Sequence, residues 1–370
     1  MEAGLYLHIP FCKSKCAYCD FASYAGAEEK MGAYTAALEK EIAARAAQYP
    51  SVVISTLFIG GGTPSLFPAE EMDKVLRCVH RHFTFAENAE CTCECNPGTV
   101  TEAFLAVLKK HGINRLSFGA QASQPHLLKL LGRIHLWEDV EQSVALAKRM
   151  GFHNLNLDLM LGLPTQTEQD VLCTLQKALV LPITHLSCYG LIVEEGTKMH
   201  RQVTEGLWQL PDEETERRQY EACRQTLFRH GFLQYEISNF ALPGYPCRHN
   251  LDCWQRKEYI GIGCAACGFM GNLRYQNPPS LSAYLQGVPA EEEIISPEDA
   301  MFESMMLGLR TMDGVSEEAF FQMHGVSLQE AFGHKLQKPL QDQLILWENG
   351  RVFLTRKGMD LQNKVLVEIM

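Results

Sequence analysis

No stretch of about 18 consecutive apolar residues occurs in this chain, so nothing in it reads as a helix that spans a bilayer. Positive charge is not in excess either: 33 basic residues face 44 acidic ones, a net charge of −11 with histidine neutral. A duplex-binding surface needs a basic footprint, so nucleic acid is not an expected partner. No export signal is expected either, since Met1-Glu2-Ala3-Gly4 runs straight into a strand-like segment. The expectation is a cytoplasmic protein. Against these absences stand fourteen cysteines, many for a chain with no oxidising destination. Most should be reduced and buried as small hydrophobes, so the informative ones are those that cluster.

The 370 residues exceed what one compact core usually serves, which predicts a large domain plus a smaller one. Three helices end alike, in Lys109-Lys110-His111-Gly112-Ile113, Lys148-Arg149-Met150-Gly151-Phe152 and Phe228-Arg229-His230-Gly231-Phe232. Cations suit the negative end of the helix dipole, and glycine suits the left-handed residue that follows. The glycines are 39 and then 80 residues apart, one and two strand–helix repeats. Strand-like segments fit that register at Leu5–Ile9, Thr56–Ile59, Cys91–Glu94, Arg115–Phe118, Leu155–Leu159 and His185–Tyr189, with helical patterns between them. Six strands alternating with helices predict a parallel α/β sheet with its ligand at the strands' C-terminal ends.

The alternation stops near residue 240. Residues 1–240 are expected to form the α/β domain and 241–296 a loop-rich connection. Residues 297–370 read as a small α+β module of short helices (Glu298–Leu309, Glu317–His324, Gln329–Gln341), a hairpin turning at Asn349-Gly350, and a last helix Lys357–Glu368. This resembles a winged helix, although its acidity favours a packing or protein-contact role.

Cys12, Cys16 and Cys19 follow directly on the first strand as Cys-x3-Cys-x2-Cys. Thiolates favour iron–sulfur clusters and zinc. A closed zinc site wants four tight ligands, whereas a cubane held by three leaves one iron open to a ligand. Three unrelated buried cysteines and a zinc site completed by Asp20 remain the alternatives. Gly60-Gly61-Gly62-Thr63 ends the second strand, where exposed N–H groups can hold a carboxylate.

Together these residues resemble the radical S-adenosylmethionine (SAM) superfamily. The resemblance implies a partial (βα)6 TIM-like barrel, a [4Fe–4S] cluster on Cys12, Cys16 and Cys19, and SAM chelated at the open iron. It implies polar SAM contacts from Gly61, Gly62, Thr63, Glu94, Gln121, Arg133 and Asp158, with Tyr6 and Tyr18 flanking the cluster and Tyr18 on adenine. Taken singly, Glu94 and Asp158 also read as structural caps and Arg133 as a salt-bridge partner.

Leu7-His8-Ile9-Pro10-Phe11-Cys12, Tyr18-Cys19-Asp20-Phe21 and Tyr235-Glu236-Ile237-Ser238-Asn239-Phe240 resemble the HemN/HemW branch. With its first cluster cysteine at position 12 and Asp20 after the third, the chain is most similar to the HemW heme chaperones. That implies heme as a further ligand, a recipient hemoprotein and an electron donor as partners, and leaves a homodimer open. The branch's heme motif, His-Asn-x-x-Tyr-Trp, corresponds to His249-Asn250-Leu251-Asp252-Cys253-Trp254, so the resemblance makes His249 the axial ligand and Trp254 a packing partner of the macrocycle. Cys253 in place of tyrosine, and Gly263-Cys264-Ala265-Ala266-Cys267-Gly268 in place of a stretch ending Ala-His-Ser, depart from the pattern. A zinc site on Cys247, Cys253, Cys264 and Cys267 is an alternative. Two enzymatic alternatives remain: oxygen-independent coproporphyrinogen III dehydrogenation and, against the charge, RNA modification.

Overall fold

A computed structural model describes residues 1–370. The backbone of the large domain is a run of parallel strands: β1 (Glu2–Ile9), β4 (Val53–Gly61), β5 (Thr84–Cys95), β6 (Arg115–Gln121), β7 (Asn154–Leu161) and β8 (His185–Gly190), hydrogen-bonded in that spatial order. Between β1 and β4, the two-residue strands β2 (Phe11–Cys12) and β3 (Tyr24–Ala25) pair with each other in parallel. Side chains alternate along each strand. Leu5, Leu7, Ile9, Leu57, Ile59, Leu116 and Phe118 belong to the apolar core. It also takes in residues of the covering helices α1 (Met31–Gln48), α2 (Ala69–His82) and α3 (Glu102–Lys110), and of α5 (Trp137–Arg149), which follows the short α4 (Pro125–Leu131). The opposite parity, Tyr6, His8, Thr56, Phe58, Glu94, Arg115, Ser117, Asn156 and Asp158, forms a polar inner face.

The repeated helix endings behave as their chemistry requires. Gly112, Gly151 and Gly231 have φ of 74°, 82° and 82°. The N–H groups of Ile113, Phe152 and Phe232 reach back to the carbonyls of Leu108, Ala147 and Leu227, each at 3.0 Å. These are Schellman closures, and the apolar residue after each glycine is buried.

The stretch 241–296 is not loop-rich. It holds α9 (Arg248–Trp254), β11 (Tyr259–Ile262), β12 (Cys267–Met270), β13 (Leu273–Gln276), α10 (Leu281–Leu285) and β14 (Glu291–Ile294). β11 adds a seventh parallel strand beside β1, and β12 to β14 extend that edge antiparallel. At the other edge, after α6 (Glu168–Leu179), α7 (Lys198–Thr204) and α8 (Glu213–Arg229), β9 (Leu233–Gln234) and β10 (Asn239–Ala241) continue antiparallel from β8. The result is a twelve-stranded sheet, curled with its polar face inward as a partial barrel that does not close.

The C-terminal module has its own apolar core. It carries α11 (Pro297–Gly308), α12 (Glu317–His324) and a three-stranded sheet of β15 (Val315–Ser316), β17 (Arg351–Leu354) and β16 (Ile345–Glu348). Asn349 and Gly350 take φ of 54° and 71° at the hairpin. Two expected single helices are each split: Gln329–Gln341 into α13 (Leu328–Phe332) and α14 (Gln337–Gln341), and Lys357–Glu368 into α15 (Arg356–Asp360) and α16 (Gln362–Ile369). The module is joined to the sheet through the Tyr235–Phe240 segment. Met312 N–H donates to Tyr235 O, Ile237 N–H donates to Arg310 O, and buried Glu236 lies 3.7 Å from Arg310.

The β11 edge leaves no space for a side chain at Gly268, where a Cβ would stand 2.2 Å from the Tyr275 ring, whose hydroxyl bonds both N–H and C=O of Gly261. Gly268→Ala should lower the unfolding free energy by ~1–3 kcal/mol in denaturant titrations. Gly32→Ala, on α1 with nothing within 4 Å, should leave it unchanged or raise it.

Candidate functional site

Where β1 ends, Pro10 turns the chain into a loop that β2 and β3 close around Cys16 and Cys19. The loop is tied down on several sides. Ala17 N–H donates to Leu131 O, Met199 N–H donates to Ala17 O, and Lys15 Nζ donates to Phe21 O. Tyr6 does not flank the opening. Its hydroxyl lies 3.0 Å from His8 Nδ1, and His8 Nε2 lies 2.9 Å from the carbonyl of Ala22, so Tyr6 supports the loop from one layer below.

Above this layer, at the C-terminal ends of the strands, lies a cavity of about 360 Å³. Its wall contains Cys12, Cys19, Tyr18, Gly61, Gly62, Thr63, Glu94, Gln121, Arg133 and Asp158. Eight residues singled out as SAM contacts therefore share one cavity with two of the three loop thiols. The third, Cys16, meets the same wall through Arg133, whose Nη1 is 3.6 Å from its Sγ. Arg133 Nη2 donates to Asn96 Oδ1 (2.8 Å) and Gly119 O (2.7 Å). Asn96 Nδ2 donates to Thr63 Oγ1 (2.9 Å), which stands 3.5 Å from Cys12 Sγ. An unbroken run of contacts thus links two loop thiols through the cavity wall.

The glycine-rich turn serves a different purpose from the one expected of it. Gly61 N–H donates to Glu94 Oε2 (3.2 Å), Gly62 N–H to Ile9 O and Thr63 N–H to Phe11 O (both 2.8 Å). These donors are spent inside the protein and do not hold a ligand carboxylate. What requires glycine is proximity: a Cβ on Gly62 would sit 2.7 Å from Phe11 O, and one on Gly61, at φ 110°, 2.6 Å from the His8 ring.

Two buried carboxyls stand in the wall. Burial pushes Glu94 up to about 8, with the charge of Asp158 adding to the shift and the Gly61 N–H opposing it. Asp158 is raised by burial, against hydrogen bonds from Asn156, Ser117 and Ser187. Burial also raises the Cys19 thiol, so its thiolate forms readily only when a metal takes the proton's place. Arg133 Nε and Gln121 Oε1 are buried without partners in the protein, polar atoms awaiting a ligand. These observations fit a cluster at the loop and a polar, cationic cofactor beside it. The wall also includes Asn96, Ser117, Met160 and Tyr189, which sequence reasoning did not nominate. Asn96, Met160 and Tyr189 lie at or near strand C-terminal ends, where the ligand rule for parallel sheets would have found them, while Ser117, the third residue of β6, lies deeper.

His249 and Trp254 are not in this cavity. α9 packs under the opposite end of the barrel. The His249 ring is buried, stacked on Phe58 at 5.1 Å, with Nδ1 2.9 Å from Thr56 Oγ1 and its backbone N–H on Glu90. Burial lowers its pKa to about 4. The axial-ligand role that the motif suggests for His249 does not fit this placement: the imidazole fills the barrel's N-terminal end, which needs a polar plug. Nor do the late cysteines gather. Cys247 Sγ faces Glu90, while Cys264 Sγ faces the carbonyls of Pro278 and Pro279, and no three His, Cys, Asp or Glu side chains converge on a single-ion site.

Comparison with known proteins agrees with this geometry. The radical SAM superfamily model matches residues 6–178, and the HemN C-terminal domain model residues 295–361. Heme chaperone HemW of Bacillus subtilis is 36% identical over 367 residues, covering 97% of each chain. HemW of Lactococcus lactis is 34% identical over 369 residues, 99% of this chain and 96% of that protein. HemW of Escherichia coli is 35% identical over 365 residues, 95% and 96%. Among solved structures, coproporphyrinogen III oxidase HemN of E. coli, a radical SAM enzyme, superposes with a TM-score of 0.87, covering 100% of this chain and 90% of that one. At 23% identity the likeness establishes the fold.

Glu94 generates a pH dependence. Its pKa rises from 4.5 to about 8 on folding, so its contribution to stability is complete below the unfolded value and is lost as pH climbs through the folded one. Denaturant midpoints of the cluster-free protein should fall across that window. In Glu94→Gln the fall should be shallower.

Proposed function

The chain belongs to the HemW family of radical SAM proteins, and from that premise we propose that it is a heme chaperone: it carries a [4Fe–4S] cluster, binds SAM and heme, and hands heme to a recipient hemoprotein. The observation that carries the cofactor assignment is the cavity at the strand ends, where the cysteine loop and eight polar or glycine positions meet.

In this reading Cys12, Cys16 and Cys19 hold the cluster, which when bound supplies an electron to SAM. The protein's own contribution is to hold and orient. The loop is anchored to α4 and α7, and Thr63 and Arg133 steady two of its thiols. Glu94 and Asp158 give the cavity anionic capacity for the amine or ribose of SAM. Gln121 Oε1 and Arg133 Nε supply an acceptor and a donor. Tyr18 offers an aromatic face to adenine. Because burial pushes the Glu94 carboxyl up to about 8, a cationic ligand beside it must displace its proton. SAM affinity, read by equilibrium dialysis, should strengthen as pH rises toward that value and then level. Glu94→Gln should bind more weakly and with little pH dependence.

The experiment that tests the function is anaerobic and uses reconstituted protein whose cluster is verified by iron content and spectrum. Cys12→Ala, Cys16→Ala and Cys19→Ala should each lose the cluster, whereas Cys253→Ala should keep it. Wild type given SAM, a strong reductant and coproporphyrinogen III should release no CO2 beyond one equivalent, and loaded with heme it should pass heme to an apo-hemoprotein. Repeated decarboxylation would make it a coproporphyrinogen dehydrogenase instead.

A further inference from the structure

The cysteine loop has two faces. Cys12, Tyr18 and Cys19 line the cavity at the strand ends, together with the acids Asp20 and Glu194. On the other face Lys13, Ser14 and Lys15 are exposed to solvent. The segment joining α4 to α5 runs beside this second face. A Cβ on Gly132 would stand 3.8 Å from Cys16 Cα and 3.9 Å from Lys15 O, and Arg133 Nη1 reaches Cys16 Sγ. Ile134 shares a small notch with Lys13, Ser14 and Arg133. His135 is turned inward, whereas its neighbours Ile134 and Leu136 are 58% and 51% exposed. Lys129, exposed on the last turn of α4, lies one turn before Gly132. No acid occurs from Cys12 to Cys16 or from Lys129 to Leu136, and the first to follow are Asp20 and Glu138.

We propose that this outer face, Lys13, Lys15 and Lys129 around Ile134 and Leu136, is where an acidic protein that carries single electrons docks to reduce the cluster. The inference rests on the cluster and SAM assignments of the proposed function and names the partner they require. An electron passed to SAM has to be replaced from outside the chain. In that step the carrier is oxidised by one electron and the cluster is reduced by one, and no atom or proton changes place. With SAM in the cavity, the solvent side of the loop is the open approach to the thiols. There Lys13 and Lys15 adjoin Cys12 and Cys16 in the chain, and Ile134 adjoins the arginine that touches Cys16. Two apolar side chains among three lysines suit a brief encounter, since redox partners bury less than ~1,200 Å². Charge selects the partner's sign. A chain of net charge −11 repels an acidic protein as a whole and attracts it where the lysines stand, which orients the encounter onto the loop.

The test uses the full chain with its cluster reconstituted, and two acidic carriers as probes, a flavodoxin and a ferredoxin. Anaerobic biolayer interferometry reads binding, and electron paramagnetic resonance reads reduction of the cluster by the prereduced carrier. At least one carrier should bind wild type, with an affinity that falls as salt rises. Lys13→Glu/Lys129→Glu should weaken that binding at least tenfold and flatten its salt dependence, and Ile134→Ser should weaken it several-fold. Cluster content, SAM affinity and reduction by dithionite, which needs no docking surface, should stay at wild-type values in both. Lys110→Glu, on the cationic last turn of α3 at the opposite end of the barrel, should bind as wild type does. If the loop-face variants bind and are reduced as wild type is, if Lys110→Glu is impaired equally, or if neither carrier binds, this face is not the docking surface. The cluster and SAM assignments then stand without it. If wild type assembles no cluster or binds no SAM, those assignments fall and this inference with them.

Discussion

The barrel has a polar interior, and the requirement that every buried polar group there find a partner organises the rest of the molecule. Period-two alternation turns leucines, isoleucines and cysteines outward to the helices and leaves Glu90, Arg115, Asn156, Asp158 and His185 facing inward. Arg115 is only 2% exposed. A buried guanidinium without compensation would cost several kcal/mol, on the order of a domain's whole stability margin. The charge of Glu90 and the hydroxyl of Tyr235 face it. α9 is the plug that completes this arrangement: its first turn brings the Cys247 thiol and the His249 N–H to Glu90, and its imidazole to Thr56. In this arrangement the His249 ring is engaged by Thr56 and Phe58.

The same accounting distinguishes the two ends of the barrel. Toward the N-terminal end most polar groups pair with one another, with Arg115 Nε left over. At the C-terminal end they do not: Arg133 Nε and Gln121 Oε1 stay unpaired, and two carboxyls share a space that raises both of their pKa values. Unpaired groups kept beside a loop of three thiols mark where stability is given up for a ligand. The glycine-rich turn belongs to the scaffold of that end. It lets β4 pass close against β1 and the cysteine loop, so the thiols and Glu94 stay within one small volume.

Much of this was legible in the sequence because it depends on local chemistry. Gly112, Gly151 and Gly231 announce helix ends by a rule needing only the adjacent residues, and they set the βα register. Once the strands were placed, Cys12, Gly61, Glu94, Gln121 and Asp158 had to converge. Three things were not legible. Strands β11 to β14 are four residues each, too short for period two to register, and they take their pairing from β1 and from one another. The Gly61 to Thr63 donors looked free because their acceptors, Glu94, Ile9 and Phe11, are distant or hidden in sequence. His249 was read from a motif, and a motif states which residues are present without stating which face of a helix meets the barrel.

The interior also has a direction. Asn156 Nδ2 donates to Asp158 Oδ1 (2.7 Å) and to Ser117 Oγ (2.7 Å), so its oxygen accepts from His185 Nδ1 (2.6 Å). His185, whose pKa burial drives well below the usual value, is therefore the neutral Nδ1–H tautomer. Its Nε2 must accept from the Tyr235 hydroxyl (2.7 Å), whose oxygen in turn accepts from the Cys247 N–H (3.2 Å). Every donor in the chain thus points from Cys247 toward Asp158, and none can reverse without breaking its neighbour's bond. Asp158 lines the cavity at the strand ends, and Tyr235 lines a cleft between the sheet and the C-terminal module. The two cavities are the ends of one polarised series of hydrogen bonds.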